Sequence, residues 1–248
     1  MNKVNLKSIL SWAKKNGYKF SKGRLYNEEL LISGPKKITD ADYESISFSS
    51  TPVNLKSGVI FSSSNSESSI LTILTDKPKL SFVKCISELF TPDPCKVIVG
   101  ENVVIEDMCS IGNDGFGYVK DEDSGEWVKF PHFGNIVIGD NVTIKDFATV
   151  ARGTLGDTII GSGTKIDCRV HIAHNVEIGK NCMVIANAMI AGSVSIGDGC
   201  WIGPSSSIIN KAKIGDNVFV GIGANVISDI PNNAVVVGNP GKIIRFQK

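Results

Sequence analysis

The chain has 248 residues, with 26 Lys and Arg against 25 Asp and Glu and a net charge of +1. That length suits one large domain or two smaller ones. The balanced charge, with no basic stripe, argues against nucleic-acid binding as the main function. No apolar run reaches the roughly 18–20 residues of a membrane span, so no membrane-spanning partner role is expected.

The opening stretch, MNKVNLKSILSWAKKNGYKF, interrupts its apolar residues with lysines. It predicts an amphipathic helix over roughly 6–16 rather than a signal peptide. A cytoplasmic location follows as the simplest expectation, with six reduced cysteines. No CxxC pair occurs, so no metal or redox site is expected. Strands are predicted around 45–49 and 58–61, and a second helix around 79–89. Residues 1–96 therefore read as a small α/β domain, closed by the boundary TPDPCK.

From Ile160 an aliphatic residue returns every six positions: Ile160, Ile166, Ile172, Ile178, Val184, Ile190, Ile196, Ile202, Ile208, Ile214, Val220 and Val226. Four residues after each stands a small or β-branched residue, among them Cys182 and Cys200. Three residues after each, Gly, Asn or Asp dominates, as at Gly163, Asn175, Asn181, Asn187, Gly199, Asn217, Gly223 and Asp229. Such residues tolerate a left-handed backbone. A helix has no period of six, and hexapeptide repeats mark a parallel β-helix whose large and small hexad residues point inward. Two shorter runs, Val99–Ile105–Ile111 and Ile138–Ile144–Val150, extend the repeat backwards in other frames. A loop over 113–135 and the break ARGTLGDT interrupt it. The expected organisation is thus an α/β domain over 1–96, a β-helix over 97–231 and a tail over 232–248.

Glycine and asparagine usage in the hexads resembles the left-handed β-helix acyltransferases, and the handedness is implied by that resemblance. The motifs IGNDGFGY, WVKFP, IGDNVTI, ARGTLGDTIIG and HIAHNVEIG are similar to those of the UDP-3-O-acylglucosamine N-acyltransferases of lipid A synthesis. Their uridine-binding domain is similar to SISFSS, GVIFSS and LTDKPKLSFVKCISELF here, which makes 1–96 a nucleotide-binding-like domain. The resemblance implies that His174, in the AHN motif, is the catalytic base. Gly192, eighteen residues on, would stack beside it and offer its amide to the acyl oxygen, and Asn210 would extend the column. A base beside a backbone N–H suits attack of an amine on a thioester.

The same resemblance makes Phe48, Phe116, Tyr118, His132 and Asn175 candidates for substrate contact, and His171, standing where the family has glutamine, is a further one. Four of these have a plainer reading: a ring anchoring the loop for Phe116 and Tyr118, a corner residue for Asn175, a solvated imidazole for His171. Lys211 stands where the lipid A enzymes carry a second histidine. The aromatic and the asparagine that accompany Phe48 in the family fall on Asn54 and Thr51. The ending NNAVVVGNPGKIIRFQK resembles coenzyme A-dependent sugar acetyltransferases, whereas the lipid A enzymes continue into helices linked with acyl carrier protein. On that ground the expected activity is transfer of an acyl group, in the first instance acetyl, from acyl-CoA to the amine of a nucleotide-linked amino sugar, for O-antigen or another surface glycan. Gly192, Asn210 and Lys211 would then meet the acetyl-CoA or other short acyl-CoA, in a homotrimer with sites between subunits. The alternative is UDP-3-O-(3-hydroxyacyl)glucosamine N-acylation from acyl carrier protein. An O-acyltransferase or a catalytically silent nucleotide-sugar binder are further readings.

Overall fold

A computed structural model describes residues 1–51, 57–66 and 69–247. The chain divides into two compact units, residues 1–94 with 117–133, and residues 95–116 with 134–248. Asn54 lies outside the described residues.

In the first unit, helix α1 spans Leu6–Lys15 and helix α2 spans Pro78–Leu89. The Asn5 side chain caps α1 by accepting from the Ser8 N–H, and Lys14 and Lys15 sit in its last turn, where the helix dipole favours cations. Of its five buried residues, Leu6, Ile9, Leu10 and Ala13 fall on one face at helical spacing, with Trp12 beside it. Pro78 starts α2, where its missing N–H costs nothing. Between the helices a five-stranded sheet pairs Gly34–Pro35, Ser45–Ser49, Ser57–Ser62 and Ser69–Leu74 in parallel, with Lys19–Lys22 antiparallel on the outer edge. Phe82 of α2 packs against Phe48 (5.0 Å between ring centroids), Phe61 (6.1 Å) and Phe130 (6.2 Å). The hairpin of Tyr118–Lys120 and Trp127–Lys129 joins this unit. Asp121 at its turn takes Lys84 of α2 at 2.5 Å, and Asp123 takes Lys77 at 2.6 Å. Lys84 holds the Asp121 carboxyl below the usual carboxylate range. The loop over 113–135 thus contains a built hairpin, which its mixture of Gly, Asp and aromatics did not reveal.

The second unit is a β-helix with three parallel sheets as faces. Ser110–Asp114, Thr149–Arg152, His171–Ile172, Met189–Ile190, Ser207–Ile208 and Asn225–Val226 stack on one face. Val97–Val99, Ile136–Ile138, Thr158–Ile160, Glu177–Ile178, Ser195–Ile196 and Lys213–Ile214 form the second. The third runs from Val104–Ile105 through Thr143–Ile144, Lys165–Ile166, Met183–Val184, Trp201–Ile202 and Phe219–Val220 to the tail. The winding is left-handed, against the usual right-handed crossover of parallel strands.

The period of six is a packing rule made visible. Every aliphatic residue from Ile160 to Val226 is buried, and so is every small residue from Thr164 to Ile230. Between them the chain turns through a residue at positive φ. These corners are Gly163, Arg169, Asn175, Asn181, Asn187, Ser193, Gly199, Ser205, Lys211, Asn217 and Gly223, again six apart. Asp229 is not among them, because the last coil ends in the tail instead of another turn. At Arg169, Ser193, Ser205 and Lys211 a side chain occupies the left-handed region at about 1–2 kcal/mol each; the closed coil imposes the conformation. The cysteines serve as small inward residues. Cys182 Sγ donates to the Gly197 carbonyl at 3.1 Å and Cys200 Sγ to Gly215 at 3.1 Å. The neighbouring Cys182 and burial push the Cys200 thiol up, so it stays protonated.

The tail closes the prism. Ala234–Val237 adds parallel to Phe219–Val220 and turns through Gly238, at φ +89°, into the antiparallel Lys242–Phe246. Among the described residues no helix is long and apolar enough to cross a membrane.

Truncating an inward residue leaves a void that a stacked coil cannot collapse. Ile202→Ala therefore loses about 2–5 kcal/mol of stability, whereas the outward Ser195→Ala changes it by less than about 0.5 kcal/mol. Urea unfolding of the two variants measures the difference.

Candidate active site

One corner of the β-helix gathers most of the second unit's candidate residues. The Ser193 N–H donates to the His174 carbonyl at 2.9 Å, and the Lys211 N–H to the Gly192 carbonyl at 2.9 Å. His174, Gly192 and Asn210 therefore stack in successive coils, as the eighteen-residue spacing predicts. The imidazole lies directly over the glycine. A Cβ built on Gly192 would sit 2.8 Å from both Cε1 and Nε2 of His174. A side chain at 192 would displace the ring, so glycine is a steric requirement of this corner.

The Gly192 amide differs from its counterparts on another corner. There the N–H groups of Lys180, Asp198 and Asp216 are taken by side-chain oxygens of Asp198, Asp216 and Asn232 in the next coil, at 2.6, 2.9 and 3.0 Å. Among the described residues, none accepts a hydrogen bond from the Gly192 N–H. An imidazole thus stands beside a backbone donor with no acceptor, a pairing able to move a proton while stabilising a developing oxyanion.

Asn175 is only 8% exposed. Its Oδ1 lies 3.1 Å from His174 Nδ1 and accepts from the Thr154 N–H at 2.9 Å and Thr154 Oγ1 at 2.7 Å. Its Nδ2 donates to the Gly156 carbonyl at 2.7 Å, and its own N–H to Thr158 Oγ1 at 2.9 Å. The stretch ARGTLGDT, read in the sequence as a break, is thus a structure built around the corner. In the sequence its only trace is the ten-residue step from Val150 to Ile160 in place of six; in the structure Thr149 pairs with His171 across 22 residues rather than 18, and a Cβ at Gly153 would fall 1.7 Å from the Gly156 carbonyl oxygen.

His171 occupies the adjacent face, exposed, with Nδ1 2.7 Å from Thr149 Oγ1. Partial burial of its ring lowers its pKa. Asn210 and Lys211 are exposed. Phe116 belongs to the second unit and is 91% exposed. Phe48, Tyr118 and His132 belong to the first unit. Phe48 is half-buried against Phe82, Tyr118 is exposed, and His132 is wholly enclosed beside Gly117. Among the described residues no cluster of three or more His, Cys, Asp or Glu is arranged to hold a metal.

Comparison with known proteins agrees with this fold. The family described as "Bacterial transferase hexapeptide (six repeats)" matches residues 157–192 and 193–228. The UDP-3-O-acylglucosamine N-acyltransferase of Coxiella burnetii (strain Dugway 5J108-111) is 50% identical over 86 residues, 35% of this chain and 25% of that protein. The enzyme of the same name from Bradyrhizobium diazoefficiens is 45% identical over 89 residues, 36% of this chain and 25% of that protein. The matched stretch thus spans a quarter of the length of these curated relatives. The UDP-N-acetylglucosamine O-acyltransferase of Moraxella catarrhalis superposes with a TM-score of 0.55 at 26% identity, covering 62% of this chain and 57% of that one. The UDP-N-acetylglucosamine acyltransferase of Campylobacter jejuni superposes at 0.51 and 19% identity, covering 86% and 70%, and shows the fold alone.

These likenesses correct two expectations. The reading as acetyl transfer from acyl-CoA for O-antigen or another surface glycan gives way, because the similar proteins are UDP-3-O-acylglucosamine N-acyltransferases. The acetyl-CoA or short acyl-CoA donor falls with it. The physical reason for the error lies in the tail. Ala234 and Val236 are buried under the last coil, so the motif VVVGNPGK records how the prism closes and says nothing of the donor.

Two outcomes test this geometry. Gly192→Ala keeps the fold and swings the His174 ring away from residue 192, visible in a crystal structure of the variant. Because burial disfavours the His171 imidazolium, that ring titrates below the ordinary value of about 6.5. Stability is then lost as pH falls through the histidine range, and His171→Gln loses that part of the slope in pH-dependent unfolding.

The chain is a left-handed β-helix protein of hexapeptide repeats and resembles the UDP-3-O-acylglucosamine N-acyltransferases.

Proposed function

We propose that the chain is an N-acyltransferase moving an acyl group from an acyl carrier protein thioester to the amine of a UDP-linked, 3-O-acylated glucosamine. The observation that carries this reading is the corner where the His174 ring lies over Gly192, whose N–H has no acceptor among the described residues. The likeness to enzymes named for this acceptor supports the substrate class.

In this mechanism the sugar amine attacks the thioester carbonyl and forms the new C–N bond. His174 takes a proton from the nitrogen as the bond forms. The carbonyl oxygen becomes an oxyanion and accepts from the Gly192 N–H. Collapse breaks the C–S bond, and the imidazolium returns its proton to the departing thiolate. No covalent enzyme intermediate is required. Within the first unit, Phe48, backed by Phe82, offers a ring face suited to a pyrimidine. His132, being enclosed, supports the hairpin rather than a ligand. A nucleotide sugar and a carrier-protein thioester are cytoplasmic reactants, which places the reaction in the cytoplasm.

The same reading includes a homotrimer. Met183, Trp201 and Phe219 form an exposed column on one face, with Trp201 stacked on Phe219 at 6.0 Å. Light scattering gives three times the chain mass; a monomer at assay concentration would refute the assembly.

The direct test offers UDP-3-O-acylglucosamine with a 3-hydroxyacyl carrier protein thioester and follows the N-acylated product by mass spectrometry. The wild type turns over, and His174→Ala is slower by about 100-fold or more. Full activity in His174→Ala would remove it as the base, and failure of the wild type on this pair would remove the substrate assignment.

A further inference from the structure

The hydrogen bonds around Asn175 bear on which nitrogen of His174 carries a proton. Asn175 Nδ2 meets the Gly156 carbonyl, which can only accept, at 2.7 Å. Its Oδ1 meets the Thr154 backbone N–H, which can only donate, at 2.9 Å. The two ends of the amide are therefore not interchangeable. The atom 3.1 Å from His174 Nδ1 is the acceptor Oδ1, so that contact is a hydrogen bond only if Nδ1 bears the proton. In the neutral ring the lone pair then sits on Nε2, the nitrogen lying against Gly192.

We propose that Asn175 is a positioning residue: clamped by Thr154 and Gly156, it holds His174 in the Nδ1–H form, with Nε2 ready to take the proton. This rests on His174 acting as the base, as argued above. It assigns Asn175 a role through the histidine instead of a contact with substrate. Both polar atoms of its amide are already committed to protein groups, and the side chain is nearly closed to solvent. When the ring is protonated during the reaction, the same Oδ1 faces a cationic N–H, and the bond strengthens as charge develops. The segment 153–157 is then part of the catalytic apparatus, although it contributes no group to the reacting atoms.

The test is 15N NMR of the full chain labelled at histidine, with the His174 signals identified by their loss in His174→Ala. The wild type in its neutral form shows Nδ1 protonated and Nε2 unprotonated. Asn175→Gly keeps the corner, whose φ is +59°, and removes the amide. It loses that tautomer preference, and kcat falls about tenfold or more with KM for the sugar nucleotide unchanged, as for a hydrogen bond to a charged group. Asn175→Asp keeps an acceptor at Nδ1. It retains the wild-type tautomer and moves the acidic limb of the kcat profile to higher pH, because a carboxylate stabilises the imidazolium. A wild type with Nε2 protonated, or an Asn175→Gly protein with the wild-type pattern, would overturn the proposal. The tautomer is read without turnover. If it appears as stated while His174→Ala stays fully active, the positioning geometry stands and the assignment of the base fails.

Discussion

The left-handed corner is the constraint from which the rest of the second unit follows. A coil of three six-residue edges closes only if the chain turns sharply at each vertex, and one residue per hexad does so at positive φ. The turn sends the aliphatic residue and the small residue inward and leaves the residues between them facing out. Stacking by eighteen residues then places each outward corner residue over its counterpart in the next coil. A column of corners is a precise scaffold, because its vertical spacing is the inter-strand distance of about 4.8 Å. A catalytic pair separated by one coil is held at contact distance by the backbone ladder itself.

That geometry explains why the candidate chemistry sits on a corner and not on a flat face. On the faces, backbone N–H groups are consumed by the ladder between coils. At the vertices they emerge, and along one corner acidic and amide side chains of the next coil cap them. In the His174 column the residue one coil on is a glycine lying under the imidazole, and its N–H has no acceptor among the described residues. The interruption at 153–157 belongs to the same logic: it departs from the repeat to surround Asn175, the neighbour of the histidine.

The sequence carried the β-helix almost completely, because every inward position obeys one size rule over twelve hexads, and Ile160 through Val226 are all buried. The His174–Gly192–Asn210 column was legible for the same reason, since spacing alone determines stacking. The surroundings of Asn175 were not, because Thr154, by its N–H and hydroxyl, and Gly156, by its carbonyl, reach it from an interruption whose path the repeat does not encode. The hairpin at 118–129 escaped likewise, its anchors Lys84–Asp121 and Lys77–Asp123 lying 37 and 46 residues apart in sequence. The donor was misjudged for a different reason. VVVGNPGK closes the last coil of this chain, and that structural task carries no information about the donor.

The central claim is that His174 and Gly192 act as one unit on one reacting centre. A kinetic double-mutant cycle on His174→Ala and Gly192→Ala, read as kcat/KM for acyl transfer to UDP-3-O-acylglucosamine, addresses it most directly. Groups that serve the same transition state are strongly non-additive. The account predicts that the double variant loses little more than the worse single variant. Losses that simply add would contradict it, showing that the two residues contribute independently and that their contact is one of packing alone.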